Sequence, residues 1–213
     1  MVIDVGSGDN PHPRADVVVE SKLDNVDRWG SLTKSDRLVM SEITMLPFRS
    51  KLFDVALCYH VLEHVTDPVA AAGELTRIAH RGIIEVPTLY SDVLFQPYTG
   101  HKWAFSQDEQ GLLYAEHPGI VAKVATTATT LALLKNNRIF RRAFMEDEVA
   151  FRVRATWIDS IKIRKATISE VLCAHTNQLK AIGSIAPTIF DAKRQFFYQV
   201  DMVSSLIRRA LDL

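Results

Sequence analysis

Over its first 87 residues the chain alternates apolar runs with residues that end them, and this alternation limits the folds open to it. Val2–Val5, Ala15–Glu20, Arg37–Met40, Phe53–Cys58 and Ile83–Pro87 each read as a short strand. Between the last two, Thr66-Asp67-Pro68 supplies a helix start, with a capping side chain and then a proline early in the helix. Val69, Ala72, Leu75, Ile78 and Ala79 follow at helical spacing, and Gly82 sits at a natural stop. Strands joined by crossovers of this kind pair in parallel, with ligand chemistry expected at their carboxyl ends.

Beyond residue 87 the pattern changes. Thr88–Phe105 reads as a long aromatic-rich loop, and Ser106-Gln107-Asp108-Glu109 has the spacing of a capping box that opens a helix. Residues 119–135 are apolar enough for a buried helix. Val149, Phe151, Val153, Ala155 and Trp157 alternate with polar residues, as do Ile161 and Ile163, so Asp159-Ser160 is expected to turn a hairpin. Thr188–Leu213 reads as an amphipathic helix that could pack on its own domain or support a homodimer.

Composition narrows the class. The chain has 213 residues, 47 % of them apolar, and a formal net charge of zero, which suits one domain with its own core. A nucleic-acid partner would call for a basic excess that is missing. Arg138, Arg141, Arg142, Arg152 and Arg154 are interrupted by acids, so a solvated face is expected rather than a phosphate site. Two distant cysteines, Cys58 and Cys173, suggest neither a disulfide framework nor a zinc cluster. No apolar run has membrane-spanning length and no leader pattern opens the chain, so no membrane span and a cytoplasmic location are expected.

Two stretches carry chemistry. Asp4-Val5-Gly6-Ser7-Gly8 is a strand running into a glycine turn, where the backbone can approach a ligand closely and its N–H groups can bind an anion. The next residues, Asp9-Asn10-Pro11-His12-Pro13, exclude the third small residue and helix of a dinucleotide site. Only eleven residues separate Gly8 from Glu20, too few for a crossover helix, so a loop is expected there. The second stretch is Glu42–His64, EITMLPFRSKLFDVALCYHVLEH. Within it His60-Val61-Leu62-Glu63-His64 fits the H-x-x-E-H zinc signature, but that motif needs a helix and a strand ends just before His60. No metal is expected.

The Glu42–His64 stretch resembles the middle of the class I S-adenosylmethionine-dependent methyltransferases, where LPF…FD and LEH segments bracket the fourth strand. The turn at Gly6 resembles their first motif, and the GxGxNPxP opening is similar to a type 11-like bacterial subgroup. The resemblance implies an α/β, Rossmann-like fold: a mostly parallel seven-stranded sheet, helices on both faces and an antiparallel last strand. It implies a single domain over residues 1–213, with a cofactor-binding half (1–87) and an acceptor-loop and C-terminal half (88–213). Helices that usually precede the first strand have no room before Val2, so a minimal or shortened version of the fold is expected.

The implied cofactor is S-adenosyl-L-methionine. Its ligands would be Asp4, Gly6, Ser7, Gly8, Asn10, Glu20, Glu42, Ile43, Tyr59 and His64. Glu20 matches the acid that binds the ribose hydroxyls, and Glu42 the acid that meets the adenine amino group, with the Ile43 N–H near the ring. His60 is the candidate base for a hydroxyl or amine acceptor, or else lines the cleft. Tyr90, Asp92, His101 and Trp103 would shape the acceptor site, and GHKWAF is similar to segments of enzymes that methylate sugar or cell-envelope intermediates. The expected function is methyl transfer to oxygen or nitrogen of a small molecule. The alternative is a methyltransferase-like binding or scaffold domain without catalysis, favoured by the short first crossover.

Overall fold

The computed structural model describes residues 1–23, 36–89, 91–92, 100–118 and 151–185. The expected helices at 119–135 and 188–213 lie outside these residues, as do Tyr90, Arg138, Arg141 and Arg142. Two compact units divide the chain. The first is Met1–Val86 with Glu109–Leu112 and Arg154–Arg164; the second is Pro87–Asp108 with Leu113–Val153 and Lys165–Leu213.

The central sheet is built from β1 (Val2–Val5), β2 (Val17–Glu20), β3 (Leu38–Met40), β4 (Phe53–Tyr59), β5 (Ala79–Pro87) and β8 (Arg152–Ile158). Its order is β3-β2-β1-β4-β5-β8. β1 lies parallel to β2 and β4, β2 to β3, and β4 to β5. β8 runs antiparallel to β5: Asp159 N–H donates to His80 O at one end and Thr88 N–H to Phe151 O at the other. The antiparallel last strand is therefore present, in a sheet of six strands among the described residues rather than seven. Central strands buried on both faces explain the near-continuous apolar runs, with Ile3, Val5, Val18, Val19, Ala56, Leu57 and Ile84 in the core.

The first crossover is the loop that its length demands, with no helix between Gly6 and Asp16. Side chains hold it: His12 N–H donates to Asp4 Oδ2 at 2.8 Å, Val2 N–H to Asp16 Oδ2 at 2.7 Å, and the Arg37 guanidinium to Ala15 O. The crossover from β4 to β5 is α1 (Pro68–Ile78), capped by Asp67 Oδ1, which accepts from Val69 and Ala70 N–H. Its buried face is Pro68, Ala71, Ala72, Leu75 and Ile78, while Val69 is exposed. The helix stops at Ile78, and Gly82 falls inside β5 instead of ending the helix. Gly82 pairs with Ala56, and a Cβ there would meet Ala56 O and lie 2.8 Å from Trp157 Cζ2. Close packing, not helix termination, requires this glycine.

Ser106–Glu109 opens no helix. Residues 103–108 form β6 (Trp103–Asp108), so the expected loop ends before Trp103, and β7 (Gly111–Glu116) follows a two-residue connection. A turn this short joins only antiparallel strands. Gly111, at φ +128, leaves no room for a Cβ against Lys162 O. β9 (Ile163–Lys165) completes a three-stranded sheet of order β6-β7-β9. β8 and β9 therefore belong to different sheets, and the hairpin expected at Asp159-Ser160 is replaced by a bend, with Asp159 at φ +60. The alternation itself is real, since Val153, Ala155 and Trp157 are buried and their neighbours exposed. In the second unit α2 (Ile168–Ile185) packs on β6, and Gln178 Nε2 donates to Gln107 O at 2.7 Å. Among the described residues no helix is long and apolar enough to cross a membrane.

Candidate functional site

The strand order reverses between β1 and β4, and open α/β sheets bind ligands outside the carboxyl ends of strands at such a reversal. The turn after β1 places Gly6 at φ +75 and Gly8 at φ +62. At Gly6 a Cβ would drive into Val61 Cγ2, so the β4–α1 loop packs directly on this turn. Gly6 N–H donates to Val19 O, whereas Gly8 N–H and Ser7 Oγ both donate to Glu20 Oε1, at 2.5 and 3.2 Å. Glu20 is buried at the end of β2 and thus joins the glycine turn to the second strand. Asp9 and Asn10 are exposed.

The loop after β3 brings in the next pair. Ser41 N–H donates to Glu20 O, and a turn closed by Met45 N–H to Glu42 O leaves Glu42 exposed and Ile43 buried. The LPF segment that follows is fastened to α1. Leu46 N–H donates to Glu74 Oε2, Arg77 donates to Leu46 O and Phe48 O, and Arg77 Nε pairs with Glu74 Oε1 at 2.6 Å. Phe48 meets Phe53 edge to face at 5.1 Å. Lys51 Nζ then binds Thr76 O and Ala79 O near the C-terminal end of the helix. This part of the motif therefore serves to hold the Glu42 loop in place.

His60 leaves β4 at φ +55, a left-handed conformation that costs a residue with a Cβ about 1–2 kcal/mol. Its N–H donates to Glu85 O at 2.8 Å. Its imidazole sits between two carboxylates, Nδ1 at 3.5 Å from Glu63 Oε1 and Nε2 at 3.5 Å from Glu85 Oε1. Burial opposes its charge, but Glu63 and Glu85 outweigh that and raise its pKa to about 9. At neutral pH His60 is thus an imidazolium, which donates hydrogen bonds and takes no proton. Glu85 is also bound by Arg154, at 2.8 Å from Nε and 2.6 Å from Nη2, and this arginine is exposed, on the solvated side of β8. Residues 60–64 form a turn, not the helix on which the zinc signature depends. Tyr59 has its hydroxyl pKa raised by burial and by Glu85.

Two buried carboxylates here have unmatched oxygens. Among the described residues Asp4 Oδ1 has no hydrogen-bond partner, and burial raises this acid despite the His12 N–H. Glu63 is fully buried, with neither oxygen hydrogen-bonded among the described residues; His64 Nε2 approaches its Oε1 to 3.9 Å. Burial pushes the Cys58 thiol well up, and Glu63 and Asp4 add to the shift. Unmatched carboxylates beside a strand-end glycine turn suit a cationic ligand, and the sulfonium and ammonium of S-adenosylmethionine are such groups. The sequence marked Asp4 and His64 but passed over Glu63 and Glu85, whose neighbours become visible only once β4 and β5 are paired.

In the second unit Asp92, His101 and His117 converge. Asp92 Oδ2 lies 2.9 Å from His101 Nδ1 and 3.3 Å from His117 Nε2, with all three side chains at least nine-tenths buried. Burial would raise the Asp92 carboxyl, but the two imidazoles hold it below the usual range. Thr88 fixes the turn, with Asp92 N–H donating to its carbonyl and Ser91 N–H to Oγ1. Trp103 stacks edge to face on Tyr114 at 5.2 Å and lies under Lys165 Nζ, 5.6 Å from the ring centre. His117, which the sequence gave no reason to single out, is recruited because its N–H donates to Lys102 O beside His101.

Residues 15–84 match the family model described as "Methyltransferase domain". No curated protein matches the chain. Among solved structures, an S-adenosylmethionine-dependent methyltransferase from Mesorhizobium loti is 14 % identical with a TM-score of 0.37, over 73 % of this chain and 90 % of that one. The YcgJ protein of Bacillus subtilis is 19 % identical with a TM-score of 0.32, over 41 % of this chain and 44 % of its own. The alignments to the first matched structures span less than half of their lengths.

Proposed function

We propose that this chain, which matches a methyltransferase-domain family model over residues 15–84, is a class I S-adenosylmethionine-dependent methyltransferase that transfers a methyl group to oxygen or nitrogen of a small molecule. A sugar or cell-envelope precursor is the acceptor class that the GHKWAF segment favours. The observation that carries the reading is the meeting of Gly6, Gly8 and Glu20 at the carboxyl edge of the sheet, with Glu42 one strand further on. S-adenosylmethionine supplies an electrophilic methyl group when bound. The Gly6–Gly8 turn and Asn10 would take its methionine end, Glu20 its ribose, and Glu42 and Ile43 its adenine. Tyr59, His60 and His64 would border the reacting centre, while Asp92, His101 and Trp103 belong with Tyr90 to the acceptor half of a single domain.

A bound ribose would have to displace Ser7 Oγ and Gly8 N–H from Glu20 or share the carboxylate with them. Calorimetry tests the proposal. S-adenosylmethionine and S-adenosylhomocysteine should both bind, and Glu20→Ala should weaken both about tenfold or more, as expected for a lost charge-assisted pair of hydrogen bonds. No binding of either at millimolar concentration overturns it. The exposed, helix-free first crossover favours the second reading, a cofactor-binding domain without catalysis; turnover of any acceptor rules that out.

A further inference from the structure

In the first unit the carboxylate that closes β2 is already engaged by the turn beside it. Glu20 is buried, and its Oε1 accepts from two consecutive residues, Gly8 N–H at 2.5 Å and Ser7 Oγ at 3.2 Å. A buried carboxylate short of donors is costly, so both bonds stabilise the strand end when no ligand is bound. The two donors differ in kind. One belongs to the backbone, and the other is the hydroxyl of a short side chain.

The backbone donor is held from several directions. Gly6 N–H donates to Val19 O at 2.7 Å, Asn10 N–H to Ser7 O at 3.2 Å, and His12 N–H to Asp4 Oδ2 at 2.8 Å. Val61 lies so close to Gly6 that a Cβ there would overlap it. Withdrawing Gly8 N–H from Glu20 would therefore disturb the whole turn. Ser7 Oγ needs only a rotation about its Cα–Cβ bond. Ser7 is half-buried, so water can take the freed hydroxyl. Beside Gly8 the space is open, since a Cβ there would meet no atom of the described residues within 4 Å.

On the reading that Glu20 binds the ribose of S-adenosylmethionine, we propose that Ser7 is a placeholder for one ribose hydroxyl. Its Oγ–H donates to Glu20 in the empty site and gives way when the sugar arrives, while Gly8 N–H stays. One neutral O–H donor replaces another, so the number of hydrogen bonds to the carboxylate is unchanged by the exchange. Ser7 is thus a positioning residue: it holds Glu20 ready before the ligand enters, and the ligand must displace it. The two effects are linked. A contact present only in the empty state stabilises that state by the same factor by which it weakens binding.

Calorimetry with S-adenosylhomocysteine and urea unfolding, each on the wild type and on Ser7→Ala, test this. Ser7→Ala should bind the ligand about fivefold more tightly, as expected for one hydrogen bond that no longer has to be given up. Without ligand its unfolding equilibrium should shift toward the unfolded state by the same factor. At the same saturating ligand concentration the two urea midpoints should coincide. Equal affinities would mean that the Ser7 contact is not exchanged, and weaker binding by the variant would mean that Ser7 holds the ligand itself. Either result overturns the inference while leaving cofactor binding intact. Failure of the wild type to bind S-adenosylhomocysteine or S-adenosylmethionine instead removes the function on which it rests.

Discussion

Gly6 and His60 both carry left-handed backbone at the carboxyl edge of the sheet, yet only one was readable in advance. A glycine after Asp4-Val5 announces a turn with positive φ. A histidine in the same region of φ does not, because what holds it there is the bond from its N–H to Glu85 O, twenty-five positions away. Gly6→Ala should destabilise the chain by about 2–4 kcal/mol, from left-handed strain and from overlap with Val61. Adding Val61→Ala should return the packing part and leave the strain. Urea midpoints of the two variants check this, and a full recovery in the double variant would show that strain is absent. Glu20 was legible because an acid closes an apolar strand. Its grip on Ser7 and Gly8 was not, since that needs β1 and β2 side by side.

At the scale of elements, local patterns identified strands well and helix boundaries poorly. The start of α1 was plain, because Asp67 and Pro68 act through neighbouring residues alone. Its end was misread at Gly82, whose role depends on Ala56 O and Trp157 from two other strands. Asp67→Ala should cost about 1 kcal/mol, an ordinary lost cap. Gly82→Ala should cost more, since the added methyl meets backbone, and equal losses in a side-by-side denaturation would contradict the packing assigned to it. Ser106–Glu109 shows the same limit: S-x-x-E satisfies a capping box, yet pairing with β7 places the segment in a strand ending in a tight turn. The alternation over 152–157 was correct as a strand and wrong about its partner, because period two fixes which side chains are buried but not which sheet receives them.

For the molecule as a whole, stability should respond to pH in two opposite windows. His60 has its pKa raised to about 9 in the folded state, against about 6.5 for a free imidazole. It binds its proton more tightly when folded, so its contribution is complete below about pH 6.5 and is lost as the pH climbs through 9. Half-exposure reduces the effect to the order of 1 kcal/mol, and His60→Gln should flatten the alkaline limb of a plot of urea midpoint against pH. Asp92 behaves in the reverse sense. Its carboxyl is depressed when folded, so its contribution is present above about pH 4 and fades as the pH falls further. A molecule whose alkaline limb is unaffected by His60→Gln would contradict the two-carboxylate environment assigned to that residue.

By itself the sequence determined the alternating first half, the helix start at Asp67-Pro68, the loop in place of a first crossover helix, and the residues that end β1, β2 and β4. Each follows from forces acting over a few positions: chain reach, capping, and the period with which apolar side chains recur. Only the tertiary structure decided that β8 closes the sheet while β9 joins another, that Glu74 and Arg77 secure the LPF loop, and that one carboxylate gathers His101 and His117. It also set His60 between Glu63 and Glu85, and so fixed its charge. These outcomes depend on residues distant along the chain, and a proton's affinity is set by whichever charges the fold brings near it.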